Sequence, residues 1–141
     1  MIIGVEHLGI AVNGKRLDTV MDFFCNVLGF KVERTHEVEG GRLRLIFLSA
    51  KDVKCAKIEL LVDFGRNSSI AGFIKRHGEI VHHIALRVDN INETLKNIKD
   101  KDPTLTFPYG EEPLTNPTGD KVVFVKSKRL NVLFDLFEKA K

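Results

Sequence analysis

Four side chains stand out because each interrupts an apolar run with a group able to bind a metal. VEHLGIAV carries His7, AKIELL carries Glu59, VHHIALRV carries His83 and VLFDLF carries Asp135. The step from His7 to His83 equals the step from Glu59 to Asp135, 76 positions in each case. Imidazole nitrogen and carboxylate oxygen together suit a divalent first-row metal. Two of each would hold such an ion and leave positions open for a chelating ligand.

Taken singly, each residue has an ordinary explanation. A histidine in a strand is usually a satisfied core or half-exposed residue. Glu59 alone fits a half-wet strand, and Asp135 alone could pair with Arg87. The repeat changes the weighing, because two matched pairs need one explanation rather than four. Strand alternation adds to it. His7 shares a face with Gly9 and Ala11, opposite Leu8, Ile10 and Val12; His83 shares one with Ala85 and Arg87, opposite Ile84, Leu86 and Val88. Each imidazole therefore has a very small neighbour on its own face. Asp135 lies in a run that is apolar on both faces, where an isolated carboxylate would be costly to bury.

The elements that must position these residues recur in the same order. A strand over 5–12 is followed by apolar residues at helical spacing, Leu17, Val20, Met21, Phe24 and Leu28, closed by Gly29. Strands then follow over 31–38, 42–50 and 55–63, the first two joined by a turn at Glu39, Gly40 and Gly41. A linker leads into a short helix carrying Ile70, Phe73 and Ile74, with Ser68 or Ser69 as its cap. The plan then returns: a strand over 81–88, a helix opened by Asn90 and Glu93 with Ile91, Leu95 and Ile98 on its apolar stripe, a proline-rich stretch with one short strand near Leu105, and strands over 120–127 and 131–137. The reading is a single α+β domain over 1–141, with βαβββ modules 1–66 and 79–141 joined by a linker over 67–78.

Bulk properties fit a small globular protein. The 141 residues suffice for one core. A net charge of +3 with scattered basic residues argues against a nucleic-acid surface. No run reaches the ~18 apolar residues of a membrane span, and the first strand pattern begins too early for a secretory leader. Cys25 and Cys55 are isolated and read as reduced, mostly buried thiols of a cytoplasmic protein. His36 and His77 read as exposed and His82 as core-facing. Lys126, Lys128 and Arg129 mark a solvated hairpin turn.

The doubled βαβββ plan with its His, carboxylate, His, carboxylate order resembles the vicinal oxygen chelate superfamily, the glyoxalase fold. Within it the chain is most similar to the methylmalonyl-CoA epimerase family. The matching stretches are EHLGIAV, FFCNVLGFKV, KIELL, GRNSSIAGFIKRHGEIVHHIALRVDNI and VVFV…VLFDL; SSIAGFIKRHG ahead of HHIA is the most epimerase-like of them. The resemblance implies an incomplete barrel formed by the paired modules around a divalent ion. The metal ligands would be His7, Glu59 (Gln or Glu in relatives), His83 and Asp135 (Glu in relatives). Cobalt is the ion the family often uses, with zinc, manganese, nickel, magnesium or iron as alternatives. The implied reaction is epimerisation of methylmalonyl-CoA through a metal-stabilised enolate, with carboxylate bases moving the α-proton. Asp135 and Glu39 are the candidates for that role, Glu39 lying beside Gly40, which a gap-free count places at the family's second base. The family phrase before the last strand is shortened here to KSKRLN. The implied partners are a small-molecule acyl-CoA and a second copy in a homodimer, with no nucleic acid and no membrane.

Other metal-dependent enzymes of the same fold, a lactoylglutathione lyase-type isomerase or an Fe(II) dioxygenase, are the alternative reading. A ligand-sequestering protein without metal chemistry is a third.

Overall fold

A computed structural model describes residues 1–65 and 67–141; Arg66, in the 65–69 connection, lies outside the described residues. The fold is α+β. It divides into two compact units, one of His7–His82 and one of Met1–Glu6 with His83–Lys141, so the division passes through the first strand.

The first unit holds most of β1 (Ile2–Asn13), α1 (Leu17–Met21), β2 (Lys31–Val38), β3 (Leu43–Ser49), β4 (Lys57–Asp63) and α2 (Ala71–His77). Its strands lie in the order β2-β3-β4-β1, with β1 parallel to β4 and the other pairs antiparallel. One face is closed by the helical segment after β1. Val12, Ile46, Leu48, Leu60 and Val62 are buried there against Leu17, Val20, Met21 and Phe24. Beyond Met21 the helix widens into a π turn, Asp22–Val27. The wider turn rotates later residues off the 3.6-residue stripe. Leu28, expected on that stripe, is accordingly 51% exposed. Gly29, at φ 83°, ends the segment in a conformation that favours glycine.

The far end of the opposite face is covered by the segment around α2. Ile70 is buried with Ala11, Leu43 and Leu61, and Phe73 and Ile74 pack beside them. Residues 67–78 are thus a packed part of the first unit. Neither serine caps α2 with its side chain: Ile70 is the capping residue. The Ser68 hydroxyl donates to Asp63 at 2.5 Å and the Ser69 hydroxyl to Glu39 at 2.7 Å. Stronger charged acceptors outcompete the helix amides for these hydroxyls.

The second unit contains most of β5 (Val81–Val88), then α3 (Ile91–Lys101), β6 (Leu114–Thr115), β7 (Lys121–Ser127) and β8 (Leu130–Glu138). The strand order is β5-β8-β7-β6, again with the first and last strands of the module parallel. Val88, Ile91, Leu95, Val123, Val125 and Leu136 form its core under α3. Asn90 caps α3 by accepting from the Glu93 amide at 3.0 Å, and the Glu138 carboxylate accepts from the Ile91 amide at 2.7 Å. The strand expected near Leu105 is a single bridge, Thr106 to Lys126; the two-residue β6 comes later.

Candidate metal centre

In the first unit β1 and β4 run parallel with Gly9 beside Glu59. Glu59 shares the sheet face of His7, two residues before Gly9. With no side chain at Gly9, the carboxylate turns toward the imidazole: His7 Nε2 lies 3.8 Å from Glu59 Oε1. Both residues are buried, at 3% and 6% exposure. On the other side of β4, Phe47 of β3 stands in register with Glu59. Its ring meets the His7 imidazole edge-on, with centroids 5.6 Å apart and planes at 86°.

The second unit repeats this arrangement. Ala85 stands beside Asp135, and His83 Nε2 lies 3.9 Å from Asp135 Oδ2. Phe124 of β7 is in register with Asp135 and meets His83 edge-on, at 5.7 Å and 84°. His83 and Asp135 are buried at 2% and 3% exposure. The shorter Asp makes the same approach as Glu59 because Ala85, like Gly9, takes little space.

The donor set and its spacing fit a divalent ion. Separations of 3.8 and 3.9 Å exceed a hydrogen bond. An ion held at about 2 Å by each of two such atoms spans up to about 4 Å. Each pair has the types and the opening for a shared ion.

Sequence reading identified the His and carboxylate of each pair and missed the two phenylalanines. A signal for them was present: LIFLS and VVFVK each place one aromatic in the strand that neighbours the carboxylate strand. The register that sets each ring opposite its carboxylate needs the hairpin geometry.

Glu39 is placed differently. It sits in the 3₁₀ turn Glu39–Gly41, with φ 53°. Oε1 accepts from the Ser69 amide at 2.9 Å and Oε2 from the Ser69 hydroxyl at 2.7 Å. His77 is exposed, as expected. His82 packs edge-on to Phe73, at 4.8 Å. His36, expected to be exposed, is half-buried and its Nε2 is shut off from solvent. Its register neighbour Leu45 packs with the α2 cluster, which covers that end of the sheet. Lys128 and Arg129 form the β7–β8 turn, and Arg129 Nε lies 3.7 Å from Asp102.

The model of the Glyoxalase/Bleomycin resistance protein/Dioxygenase superfamily matches residues 6–124, most of the chain. The chain belongs to this superfamily. As a glyoxalase-fold protein it is 35% identical to the mitochondrial methylmalonyl-CoA epimerase of Dictyostelium discoideum, over 97% of this chain and 81% of that one. A solved structure of a Streptomyces coelicolor methylmalonyl-CoA epimerase variant in complex with 2-nitronate-propionyl-CoA is 26% identical, with a TM-score of 0.82 and complete coverage of both chains. A methylmalonyl-CoA epimerase in complex with methylmalonyl-CoA and NH4+ also matches at 0.82 and 26% identity, covering 99% of this chain and 96% of that one. By these relationships this glyoxalase-fold protein is an isomerase similar to methylmalonyl-CoA epimerase. Among the described residues no helix is long and apolar enough to cross a membrane.

Proposed function

We propose that the protein epimerises methylmalonyl-CoA with a divalent ion held by His7, Glu59, His83 and Asp135. The observation that carries the metal assignment is the repeated unit: a buried His–carboxylate pair with a small strand neighbour and a phenylalanine brace, present in both halves. Buried His7, His83 and Asp135 each offer a ligand atom. The substrate assignment is supported by the three relatives named above, which are methylmalonyl-CoA epimerases, two of them in complex with acyl-CoA compounds.

The ion, when bound, would supply Lewis-acid stabilisation to the negative charge that develops on the acyl oxygens. Cobalt is the ion we favour. The residues of the chain do the rest. Asp135 and Glu39 are proposed to take the α-proton from one face of the substrate and return one to the other. The C–H bond breaks toward a carboxylate oxygen, and a new C–H bond forms from the opposite carboxylic acid. Glu39 can take that role with Ser69 still bound, because each of its oxygens keeps a second lone pair. Burial of the two pairs excludes water from the charged groups, which strengthens each interaction.

The test is α-proton exchange. Metal-loaded protein mixed with methylmalonyl-CoA in deuterated water should incorporate deuterium at the α-carbon and interconvert the two epimers. A metal-loaded, folded protein that exchanges nothing would defeat this reading. We further propose a homodimer, testable by sedimentation, and a cytoplasmic location; Cys25 is half-buried and Cys55 exposed, not buried as expected, and such thiols would stay reduced there.

A further inference from the structure

Position 87 breaks the likeness between the two halves. Shifted by 76 positions, His83 falls on His7 and Ala85 on Gly9, but Arg87 falls on Ala11. The second unit therefore carries a cation where the first has a methyl group. Leu86 and Val88 pack under α3, so Arg87 between them points to the open face with Ala85 and His83. Ala85 is in register with Asp135, and Arg87 with Phe137. Asp135 is thus flanked along β5 by His83 on one side and Arg87 on the other, with only the Ala85 methyl between. Strand spacing puts such diagonal neighbours about 8 Å apart at the backbone, a gap that an extended arginine and an aspartate close.

A guanidinium is a strong bidentate partner for a carboxylate, so Arg87 and a metal ion would compete for Asp135. In the structure Asp135 Oδ2 lies 3.9 Å from His83 Nε2, and Arg87 is held elsewhere. Arg87 Nε donates to Glu6 Oε2 at 2.7 Å, and its Nη2 meets the same oxygen. Glu6 is 6% exposed and lies in the part of β1 that belongs to the second unit. The Arg87 side chain is 38% exposed. Such a cation can be served by water, and burying a carboxylate to meet it is a poor source of stability. Shifted by 76 positions, Glu6 falls on His82, so this carboxylate is also an addition to one half only. The two additions cancel each other's charge beside the His83–Asp135 pair.

We propose that Glu6 is a positioning residue for the metal centre: it holds the Arg87 guanidinium off Asp135 and keeps that carboxylate for the ion. This rests on the assignment of Asp135 as a metal ligand. Without Glu6, Arg87 pairs with Asp135 and opposes a divalent cation both by occupying its oxygens and by like charge.

The test is calorimetric titration of Co2+ into chelator-treated wild type, Glu6→Gln, Arg87→Met and the double variant, with the melting temperature of each metal-free protein measured alongside. Glu6→Gln should bind Co2+ about tenfold or more weakly. Arg87→Met should bind at least as tightly as wild type, and adding it to Glu6→Gln should restore affinity to within about threefold. A disturbance of His7, the next residue, would not be undone by removing Arg87. Unchanged affinity in Glu6→Gln would overturn the proposal. So would a double variant as weak as Glu6→Gln, or weaker binding by Arg87→Met alone. If Glu6→Gln does not fold, Glu6→Asp takes its place. The shorter acid loosens the grip on Arg87, so affinity should fall by about threefold or more and recover with Arg87→Met; no fall overturns the proposal. Wild type that takes up no Co2+ would sink the metal assignment and the proposal together, whereas uptake that ignores Glu6 sinks the proposal alone.

Discussion

Ser69 holds both carboxylate oxygens of Glu39, through its amide at 2.9 Å and its hydroxyl at 2.7 Å. The contact joins the β2–β3 turn to the segment leading into α2. Each carboxylate oxygen keeps a second lone pair, so the clamp orients Glu39 while the remaining sites stay open to a proton. Two substitutions separate them. Glu39→Gln should lower α-proton exchange by about a hundredfold or more. Ser69→Ala should cost about 1 kcal/mol of stability and leave exchange within a few-fold of wild type. Equal, small effects of both on exchange would reduce Glu39 to a turn clamp.

Metal binding should depend on both halves of the chain. Wild type is expected to take up a single Co2+ or Zn2+ per chain and to melt at higher temperature when loaded, because only the folded state presents the ligands. His7→Ala and His83→Ala should each weaken uptake by more than about tenfold, a loss of about 1.4 kcal/mol or more. Elemental analysis and calorimetry measure this. An ion retained at full affinity in either variant would mean that the two pairs do not share it.

Asp135 is asked to be both ligand and base. Asp135→Asn keeps the shape and removes the charge, so metal affinity and exchange should both fall, exchange by about a hundredfold or more. Asp135→Glu adds a methylene beside Ala85 and should retain the ion. Exchange rates normalised to bound metal read the two roles apart. A metal-loaded Asp135→Asn protein with wild-type exchange would remove Asp135 from proton transfer.

Stability should rest on the helix-covered core of each unit rather than on the pairs. Leu60 is 0% exposed and sits between Glu59 and Leu61 on β4, facing the helix side with Val12 and Ile46. Leu60→Ala should cost roughly 2–5 kcal/mol in urea denaturation, because the cavity among β-sheet neighbours closes only in part. A loss under about 1 kcal/mol would show that this face is loosely packed.

Much of this protein was legible before any coordinates, for a physical reason. Strand alternation and the 76-residue repeat act locally, so the sequence alone set His7 with Glu59 and His83 with Asp135 as equivalents on open faces. Seven strands and three helical segments follow from the same local periodicities. Tertiary structure decided what local rules cannot reach. The π turn moved Leu28 off the core, since ring closure within a helix depends on what the helix packs against. Hairpin register set Phe47 and Phe124 opposite the carboxylates, and a β2 bulge brought Arg34 onto the face of Phe47 and Glu59. Competition among acceptors sent Ser68 to Asp63 and Ser69 to Glu39 instead of to a helix terminus. Spacing along a chain states which residues share a face; only cross-strand register and packing state which of them meet.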